Sequence, residues 1–209
     1  MFPLQPSFKK LFTVLLAASA ITFAGCGNNA TETNTIDSTA NINSDSAAMG
    51  TQTTGPAANN ASAVLSGTQA DTTVTGTARF EEADGKVKLV LDLTVPKKAN
   101  QSVAVHIHEH GDCGDMGKGA HGHWNPTSSK HGKWGTAAFH VGDIGNVTLD
   151  GEGKGSMTLE TDLWTITGSD TTKNILNKAI IVHGGVDDFT TQPTGNAGSR
   201  IGCGVIKKN

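Results

Sequence analysis

Apolar residues occupy every second position in one stretch of this chain, Val87-Lys88-Leu89-Val90-Leu91-Asp92-Leu93-Thr94-Val95. Because side chains alternate between the two faces of a β-strand, the pattern predicts a half-buried strand. Further short strands are predicted at 102–110, 146–149, 156–161, 178–183 and 201–206. The chain has 26 glycines and no tyrosine, a composition that favours many short strands and turns over long helices. We therefore expect an all-β domain.

Two long glycine-rich segments, about 111–145 and 184–199, interrupt the predicted strands. Loops of this length are usually functional or disordered. A third, shorter connection, Asp150 to Gly155, is rich in turn residues and predicts a hairpin between strands 146–149 and 156–161. The net charge of −3 gives no argument for nucleic acid as a partner.

The first 26 residues have the pattern of an export signal. Lys9 and Lys10 precede an apolar run from Leu11 to Phe23, as in the basic and hydrophobic regions of a signal peptide. This run is shorter than the roughly 20 apolar residues that span a bilayer. A retained anchor helix is therefore the less favoured alternative.

The apolar run ends in Phe23-Ala24-Gly25-Cys26, which resembles the lipobox of bacterial lipoproteins. In that motif the cysteine is lipidated and becomes the mature N-terminus, so the resemblance implies a membrane-anchored protein of the cell envelope. Of the three cysteines, Cys113 and Cys203 then remain. An exported protein can hold them as a disulfide, with two buried free thiols as the alternative.

The segment 27–63 is composed mainly of Asn, Thr, Ser, Ala and Gly. Such a segment buries too little apolar surface to offset its ordering entropy, and we interpret it as a disordered polar tether. This division leaves 1–26 as the signal peptide and 64–209 as a single domain.

Histidines are concentrated in one part of the chain: seven of the eight lie between positions 106 and 140. His106 and His108 are two apart on a predicted strand and therefore share one face, where both rings can reach one ion. Alone this pair is a weak signal, since a strand can carry two histidines on a solvated face.

A second group, His123, His131, His140 and Asp143, lies within a glycine-rich loop. Three imidazoles and one carboxylate suit tetrahedral zinc, and nitrogen sites that approach planarity suit Cu(II). A histidine-rich surface loop that binds metal opportunistically is the alternative.

The chain resembles the copper,zinc superoxide dismutase family in a series of short motifs that occur in the family's order. They are His106-Ile107-His108-Glu109, His123-Trp124-Asn125-Pro126, Lys130-His131-Gly132, His140-Val141-Gly142-Asp143-Ile144-Gly145-Asn146, Val182-His183, Asp187-Asp188 and Thr194-Gly195-Asn196-Ala197-Gly198-Ser199-Arg200-Ile201-Gly202-Cys203-Gly204-Val205-Ile206. Together they cover nearly the whole predicted domain.

The resemblance implies a Greek-key β-barrel of about eight antiparallel strands. It implies copper held by His106, His108, His123 and His183. It also implies zinc held by His123, His131, His140 and Asp143, so that His123 bridges the two ions. Asp187 would link a copper histidine to a zinc histidine, Arg200 would draw in and orient the anion, and Cys113 and Cys203 would form the intrasubunit disulfide.

The activity implied is the disproportionation of superoxide to dioxygen and hydrogen peroxide. Superoxide must be both oxidised and reduced, so the centre needs a one-electron couple. Copper supplies this couple by alternating between Cu(II) and Cu(I), whereas zinc has no redox chemistry. The ring of His123 would take up a proton when it leaves Cu(I) and help deliver it to the peroxide.

Several residues near these motifs have no ligand role in the resemblance. His110 and His121 are interpreted as exposed loop residues, with copper acquisition as the alternative, and Trp124 and Trp134 as packing for the metal loop. The segment 189–193 is uncharged and shorter than the guidance loop of eukaryotic members, which leaves steering to Arg200, with Lys130 and Lys133 as further candidates. The export signal is more similar to the bacterial branch. The oligomeric state stays open, a homodimer being one option.

A non-catalytic relative that buffers zinc or delivers copper is the competing hypothesis. Degenerate relatives of this kind lose copper ligands or the arginine. All four copper histidines and Arg200 stand in this sequence, which favours catalysis.

Overall fold

The structure is a computed structural model that describes residues 59–209, which form nine β-strands and two short 3₁₀ turns. The strands are β1 Asn59–Gly67, β2 Thr75–Ala83, β3 Lys86–Thr94, β4 Ser102–His108, β5 Gly145–Thr148, β6 Lys154–Thr161, β7 Ala179–His183, β8 Arg200–Val205 and β9 Lys207–Lys208. Within residues 59–209, no helix has the length and apolar character needed to cross a membrane.

Eight of the strands pair in the order β5-β4-β7-β8-β1-β2-β3-β6, and every ladder is antiparallel. The ninth strand, β9, pairs with β1 through Ala61 and Ser62. The connections β3 to β4 and β6 to β7 join strands that are not neighbours, which is typical of Greek-key topology. The prediction of an all-β barrel of about eight antiparallel strands is confirmed.

The two end strands of this order, β5 and β6, follow one another in the chain. Their connection is the predicted turn, in which Asp150 Oδ1 accepts hydrogen bonds from the backbone N–H groups of Glu152 and Lys154. Among the described residues these strands form no ladder with each other; β6 pairs with β3 instead. The turn therefore brings together the two edges of a nearly closed barrel, which corrects the hairpin expected from the sequence.

β3 has the alternation that the sequence predicted. Its buried residues are Val87, Leu89, Leu91 and Leu93, each at most 2% exposed, and the residues between them face outward. The buried face contributes to the single large core inside the barrel. Burial of each such side chain stabilises the fold by about 1.5–3 kcal/mol.

Residues 59–63, the last part of the segment interpreted as a tether, belong to β1 and therefore to the barrel. Ala61, Ala63 and Leu65 alternate as buried residues on β1. The alternation is hard to recognise since two of the three are alanines.

β2 was also not predicted. The signal peptide, Cys26 and the rest of the tether lie outside the described residues.

A third long connection, 162–178, joins β6 to β7 and was not predicted as such. It is packed rather than open: Trp164, Ile166 and Ile175 are buried. One carboxylate oxygen of Glu82 accepts hydrogen bonds from the backbone N–H groups of Ile166 and Thr167. The connection therefore belongs to the barrel wall.

β4 and β7 are central to the remaining structure because both of their faces are buried. Val105 and Ile107 of β4 face the barrel core, so the intervening His106 and His108 face the opposite side. There they are covered by the long loop 109–144, which is called the metal loop below. This placement puts histidine rings between the barrel and the loop that folds over it.

Candidate metal centre

Four buried histidines converge at one place on the outer surface of the barrel. β4 supplies His106 and His108, β7 ends at His183, and the long loop supplies His123. One ring nitrogen from each lies within 4.8 Å of the others. This group, His106, His108, His123 and His183, is called the four-histidine cluster below.

Backbone pairing explains how a loop residue joins this cluster. The loop returns along β4, so that His108 and His123 form an antiparallel bridge. The flanking hydrogen bonds run from Trp124 N–H to the Ile107 carbonyl, 2.8 Å, and from Glu109 N–H to the Gly122 carbonyl, 3.1 Å. Residues opposite each other in this type of bridge have their side chains close together. The His108 and His123 ring centroids are accordingly 4.9 Å apart.

The second set of predicted ligands also converges. One ligand atom from each of His123, His131, His140 and Asp143 lies within 4.8 Å of the others, and all four residues are buried. Asp143 Oδ1 is 2.8 Å from His123 Nδ1 and 3.2 Å from His140 Nδ1. We call this group the histidine–aspartate cluster. His123 belongs to both clusters and is placed to bridge two ions.

The other oxygen of Asp143 is held by the backbone of the loop. It accepts hydrogen bonds from the N–H groups of His140, at 2.8 Å, and Gly132, at 3.2 Å. Burial raises the pKa of Asp143, but the hydrogen bonds from His123 and His140 outweigh this effect and hold the pKa well below its ordinary value. The group is therefore a carboxylate, as a metal ligand requires.

Several buried ring nitrogens in the two clusters make no hydrogen bond: His106 Nδ1, His123 Nε2, His131 Nδ1 and His140 Nδ1. The last two are near Asp143, at 3.0 and 3.2 Å, but only as ion-pair contacts. In the four-histidine cluster, His108 Nε2 and His183 Nε2 lie 3.4 Å apart. His108 Nδ1 must donate its proton to the His121 carbonyl, 2.9 Å away, which leaves the Nε2 lone pair free. Unpartnered buried lone pairs that converge in this way fit a metal cation, so both clusters have the chemistry of metal sites.

Asp187 connects the two clusters by a hydrogen bond to one histidine of each. Its two carboxylate oxygens each lie 2.9 Å from a ring nitrogen, Oδ2 from His106 Nε2 and Oδ1 from His131 Nε2. Both rings therefore donate through Nε2, which leaves Nδ1 as the metal-binding atom. Such partners set the tautomer and orientation of ligand histidines.

Asp187 is itself fixed by contacts that the sequence did not indicate. The side-chain amide of Asn146 accepts from Asp187 N–H at 2.9 Å and donates to the Asp187 carbonyl at 3.0 Å. Gln192 holds His131 in the same two-way manner, at 2.9 Å for both hydrogen bonds. These pairs are 41 and 61 residues apart in the chain. The sequence contained one signal for a special role of Asn146. It begins the predicted strand 146–149, although asparagine is depleted in strands.

Burial lowers the pKa of three histidines in the four-histidine cluster, His108, His123 and His183. The pKa falls to about 4 for His123 and to about 3 for His183, chiefly because burial removes water from the charged form. The pKa of His108 is lowered well below its ordinary value for the same reason. These rings are neutral near pH 7, the form that binds a metal.

Arg200, at the start of β8, extends over the metal loop. Its guanidinium donates to the Gly117 carbonyl at 2.6 Å and to the His121 carbonyl at 2.5 Å. The His121 carbonyl is the one that also accepts from His108. One carbonyl thus positions both a ring of the four-histidine cluster and the nearby positive charge.

The predicted disulfide is present: Cys113 and Cys203 are bonded, with 5.7 Å between their Cα atoms. It connects the metal loop to β8 three residues after Arg200.

Trp124 is buried and Trp134 is partly buried against the core, so both pack the metal loop as expected. Lys133 lies over the Phe189 ring, its Nζ 5.9 Å from the centroid. The structure therefore brings together every predicted metal ligand, Asp187, Arg200 and the disulfide.

Comparison with known proteins gives one consistent family. The profile described as copper/zinc superoxide dismutase matches residues 74–206. A copper/zinc superoxide dismutase of Paramecium bursaria Chlorella virus 1 is 38% identical over 139 residues, 64% of this chain and 72% of the viral protein. That of Schizosaccharomyces pombe is 36% identical over 152 residues, 69% and 94% of the two chains.

A bacterial relative and a solved structure extend the comparison. One copper/zinc superoxide dismutase of Aquifex aeolicus is 41% identical over 113 residues, 52% of this chain and 66% of that protein. The crystal structure of the clock protein EA4 is similar with a TM-score of 0.60 and 32% identity, covering 70% of this chain and 92% of that one. The family match, residues 74–206, includes the metal loop and both clusters.

Proposed function

Because the chain belongs to the copper/zinc superoxide dismutase family, we propose that its four-histidine cluster holds copper and its histidine–aspartate cluster holds zinc. The protein disproportionates superoxide to dioxygen and hydrogen peroxide, with copper and zinc as cofactors. Four imidazoles suit copper, and three imidazoles with one carboxylate suit tetrahedral zinc.

Bound copper supplies the one-electron couple that converts two superoxide ions and two protons to dioxygen and hydrogen peroxide, and zinc supplies a fixed positive charge. The chain's own residues control access and protons. The guanidinium of Arg200 attracts the anion and orients it beside the four-histidine cluster. His123 Nε2 is buried without a hydrogen-bond partner, so this atom can hold a proton destined for the peroxide.

One observation carries the choice of catalysis over a metal-buffering module: all four histidines converge, and the His121 carbonyl that accepts from one of them, His108, also holds Arg200 beside the cluster. A buffer needs ligands but no positioned cation for a substrate anion. Superoxide decay after pulse radiolysis tests this choice on the full chain loaded with copper and zinc. We expect fast catalytic decay that disappears when copper is removed. Stoichiometric metal binding without catalysis would support the buffering module instead.

The assignment of the two ions is tested at His123. In His123→Ala we expect the copper spectrum to lose its sensitivity to zinc, and most of the activity to disappear, because the shared ligand is gone. Copper and zinc content per chain should be measured alongside. An unchanged copper spectrum in this variant would contradict the bridging role.

We further propose that the protein is exported and anchored to a membrane of the cell envelope through lipid on Cys26. The supporting pattern is the basic, apolar and lipobox sequence of residues 1–26. A disulfide in the domain agrees with an oxidising compartment.

Cell fractionation tests the anchor. We expect Cys26→Ala to move the protein from the membrane fraction to the soluble fraction, whereas the control Ser46→Ala should stay with the membrane. A membrane fraction unchanged by Cys26→Ala would contradict lipidation at this residue.

A further inference from the structure

A third cluster of potential metal ligands lies outside the two clusters described above. Glu109, His110 and His121 each offer one ligand atom, and these atoms lie within 4.8 Å of one another. All three residues are exposed, and the two ring centroids are 4.4 Å apart. We call this group the outer cluster. Two imidazoles and one carboxylate form a donor set for divalent copper or zinc.

The backbone holds the outer cluster in place although its side chains are exposed. Glu109 and His110 continue beyond β4 and donate to the Gly122 and Ala120 carbonyls, at 3.1 and 3.2 Å. Four residues beyond Glu109, the Cys113–Cys203 disulfide anchors the same loop. The two histidines are therefore presented side by side before any ion arrives, which lowers the ordering cost of binding.

His121 occupies an unusual backbone conformation that separates the roles of its ring and its carbonyl. Its φ is 60°, in a region that residues other than glycine rarely adopt. Its carbonyl accepts hydrogen bonds from His108 and Arg200. The N–H group of His110 donates to the Ala120 carbonyl instead. Meanwhile its ring contacts His110. One residue thus belongs to the outer cluster through its ring and to the four-histidine cluster through its carbonyl.

The outer cluster also lies next to the four-histidine cluster along the same pair of strands. His108 and His123 form the bridge, and His110 and His121 are the residues two positions further along each strand. The two clusters are in direct contact, because the His121 carbonyl accepts a hydrogen bond from His108 Nδ1 at 2.9 Å. An ion at the outer cluster would therefore be close to the buried copper ligands.

We propose that Glu109, His110 and His121 form a third metal site that captures Cu(II) from solution and passes it to the four-histidine cluster. The binding itself goes beyond the proposed function; the transfer rests on copper being held by the four-histidine cluster. Cu(II) is preferred over zinc by imidazole donors. Exposure keeps the captured ion exchangeable, and four buried imidazoles bind it more tightly than two exposed ones, so transfer proceeds inward without any change of oxidation state.

The histidine content of the chain makes this site testable. Six of the eight histidines belong to the two buried clusters, and the remaining two are His110 and His121. Once copper and zinc fill the buried clusters, a further Cu(II) ion bound through imidazole can only occupy the outer cluster.

The first experiment titrates Cu(II) into full chain already loaded with one copper and one zinc. We expect one more Cu(II) ion per chain, with imidazole nitrogen couplings in its paramagnetic resonance spectrum. His110→Gln and Glu109→Gln should weaken this binding at least about tenfold, as loss of one ligand does. The control Asp84→Asn, which alters an exposed carboxylate elsewhere, should bind like the unaltered protein.

Two results would overturn the third site. Uptake could stop at the ions already present, or the ligand variants could bind the added Cu(II) as tightly as Asp84→Asn does. A chain that fails to hold the first copper and zinc would instead contradict the assignment of the buried clusters, so the two failures are distinguishable.

The second experiment measures capture. Metal-free full chain is mixed with limiting Cu(II) in a chelating buffer, and filling of the four-histidine cluster is followed by its visible absorption. We expect His110→Gln to fill at least about tenfold more slowly, in line with the weaker initial binding. His121→Asn provides a second variant, because it removes the imidazole ring but leaves the backbone carbonyl that accepts from His108 and Arg200. Filling rates equal to that of Asp84→Asn would overturn the transfer role.

Discussion

At the scale of single residues, the centre depends on groups that serve two partners at once. The His121 carbonyl accepts from His108 and Arg200, and the Asp187 carboxylate binds His106 and His131. When one acceptor binds two side chains, it fixes them relative to each other, and the entropy cost of ordering an acceptor is incurred only once. His108, proposed as a copper ligand, and Arg200, proposed to orient the substrate, are therefore linked through one peptide group.

Arg200 should affect turnover rather than metal content. In Arg200→Ala we expect kcat/KM for superoxide to fall about 10- to 100-fold, because electrostatic attraction and orientation of the anion are lost. Arg200→Lys keeps the charge and should recover part of the rate. Pulse radiolysis at low and high salt, with metal analysis of the same samples, measures both effects. Loss of copper from Arg200→Ala would assign this residue a structural role.

At the scale of elements, two loops are held against the barrel by contacts that link different parts of the chain. The loop 184–199 carries Asp187 and contacts the metal loop through Gln192 and His131. The metal loop is bonded to β8 by the disulfide. The geometry of the metal ligands thus depends on how these two loops meet.

At Gly195 the loop 184–199 comes close to the metal loop. Its φ is 67°, and a Cβ at this position would collide with Asp187 Oδ1 and would lie 2.5 Å from His131 Nε2. We expect Gly195→Ala to weaken zinc binding about 10- to 100-fold by breaking the Asp187–His131 contact. Gly198→Ala is the matched control, since Gly198 has φ 82° but its Cβ would meet nothing closer than 3.6 Å.

Competition with a zinc chelator measures the affinity of both glycine variants. Gly198→Ala should show only the backbone cost of a left-handed residue, about 1–2 kcal/mol of unfolding free energy. Equal zinc affinities in the two variants would contradict a specific role for Gly195.

The disulfide should contribute to stability through the loop that it closes. The two cysteines are 90 residues apart, for which chain entropy predicts about 4 kcal/mol of stabilisation. The double variant Cys113→Ser, Cys203→Ser should lose about this much free energy of unfolding in urea. Reduction of the unaltered protein serves as the control and should give a similar loss. No change in either case would mean that the bond is energetically neutral.

The sequence was sufficient for the strands with strong alternation and for the residues that form the two buried clusters, because the motifs that carry them are short, specific and ordered as in the family. It was insufficient for β1, where Ala61 and Ala63 carry the buried face, since alanine contributes little to a hydrophobic pattern. Asn146 and Gln192 were missed for another reason. Their partners are far away in the chain, and only the folded barrel brings them together.

At the scale of the whole molecule, the metal ions compensate for an interior that is costly to form without them. The buried clusters place six histidines and Asp143 where water is excluded. Metal-free protein must keep the buried rings of His108, His123 and His183 neutral, whereas bound cations satisfy the unpartnered nitrogens. Stability should therefore depend on both metal and pH.

The metal-free protein should lose stability as pH falls below about 6.5, the ordinary pKa of histidine in an unfolded chain. In the folded state burial lowers the pKa of His123 to about 4 and of His183 to about 3. The unfolded chain therefore binds protons that the folded chain excludes, so stability is fully present above about pH 7 and declines toward the folded pKa values. Each such histidine contributes a slope of about 1.4 kcal/mol per pH unit.

Urea unfolding of metal-free protein between about pH 7 and about pH 5 measures this slope. His183→Gln should flatten it, whereas His110→Gln, which alters an exposed ring, should leave it unchanged. A slope that is the same in all three proteins would contradict the role of the buried rings.

The pairing of β9 with β1 has a consequence for aggregation. β8 pairs with β1 at Ser66 and Gly67, and the two residues of β9 pair with β1 at Ala61 and Ser62. Without these C-terminal residues, backbone N–H and C=O groups of β1 would be left open, and open strand edges recruit strands from other molecules. By pairing with β1, β9 covers this strand edge and hinders edge-to-edge association of neighbouring molecules into β-rich assemblies.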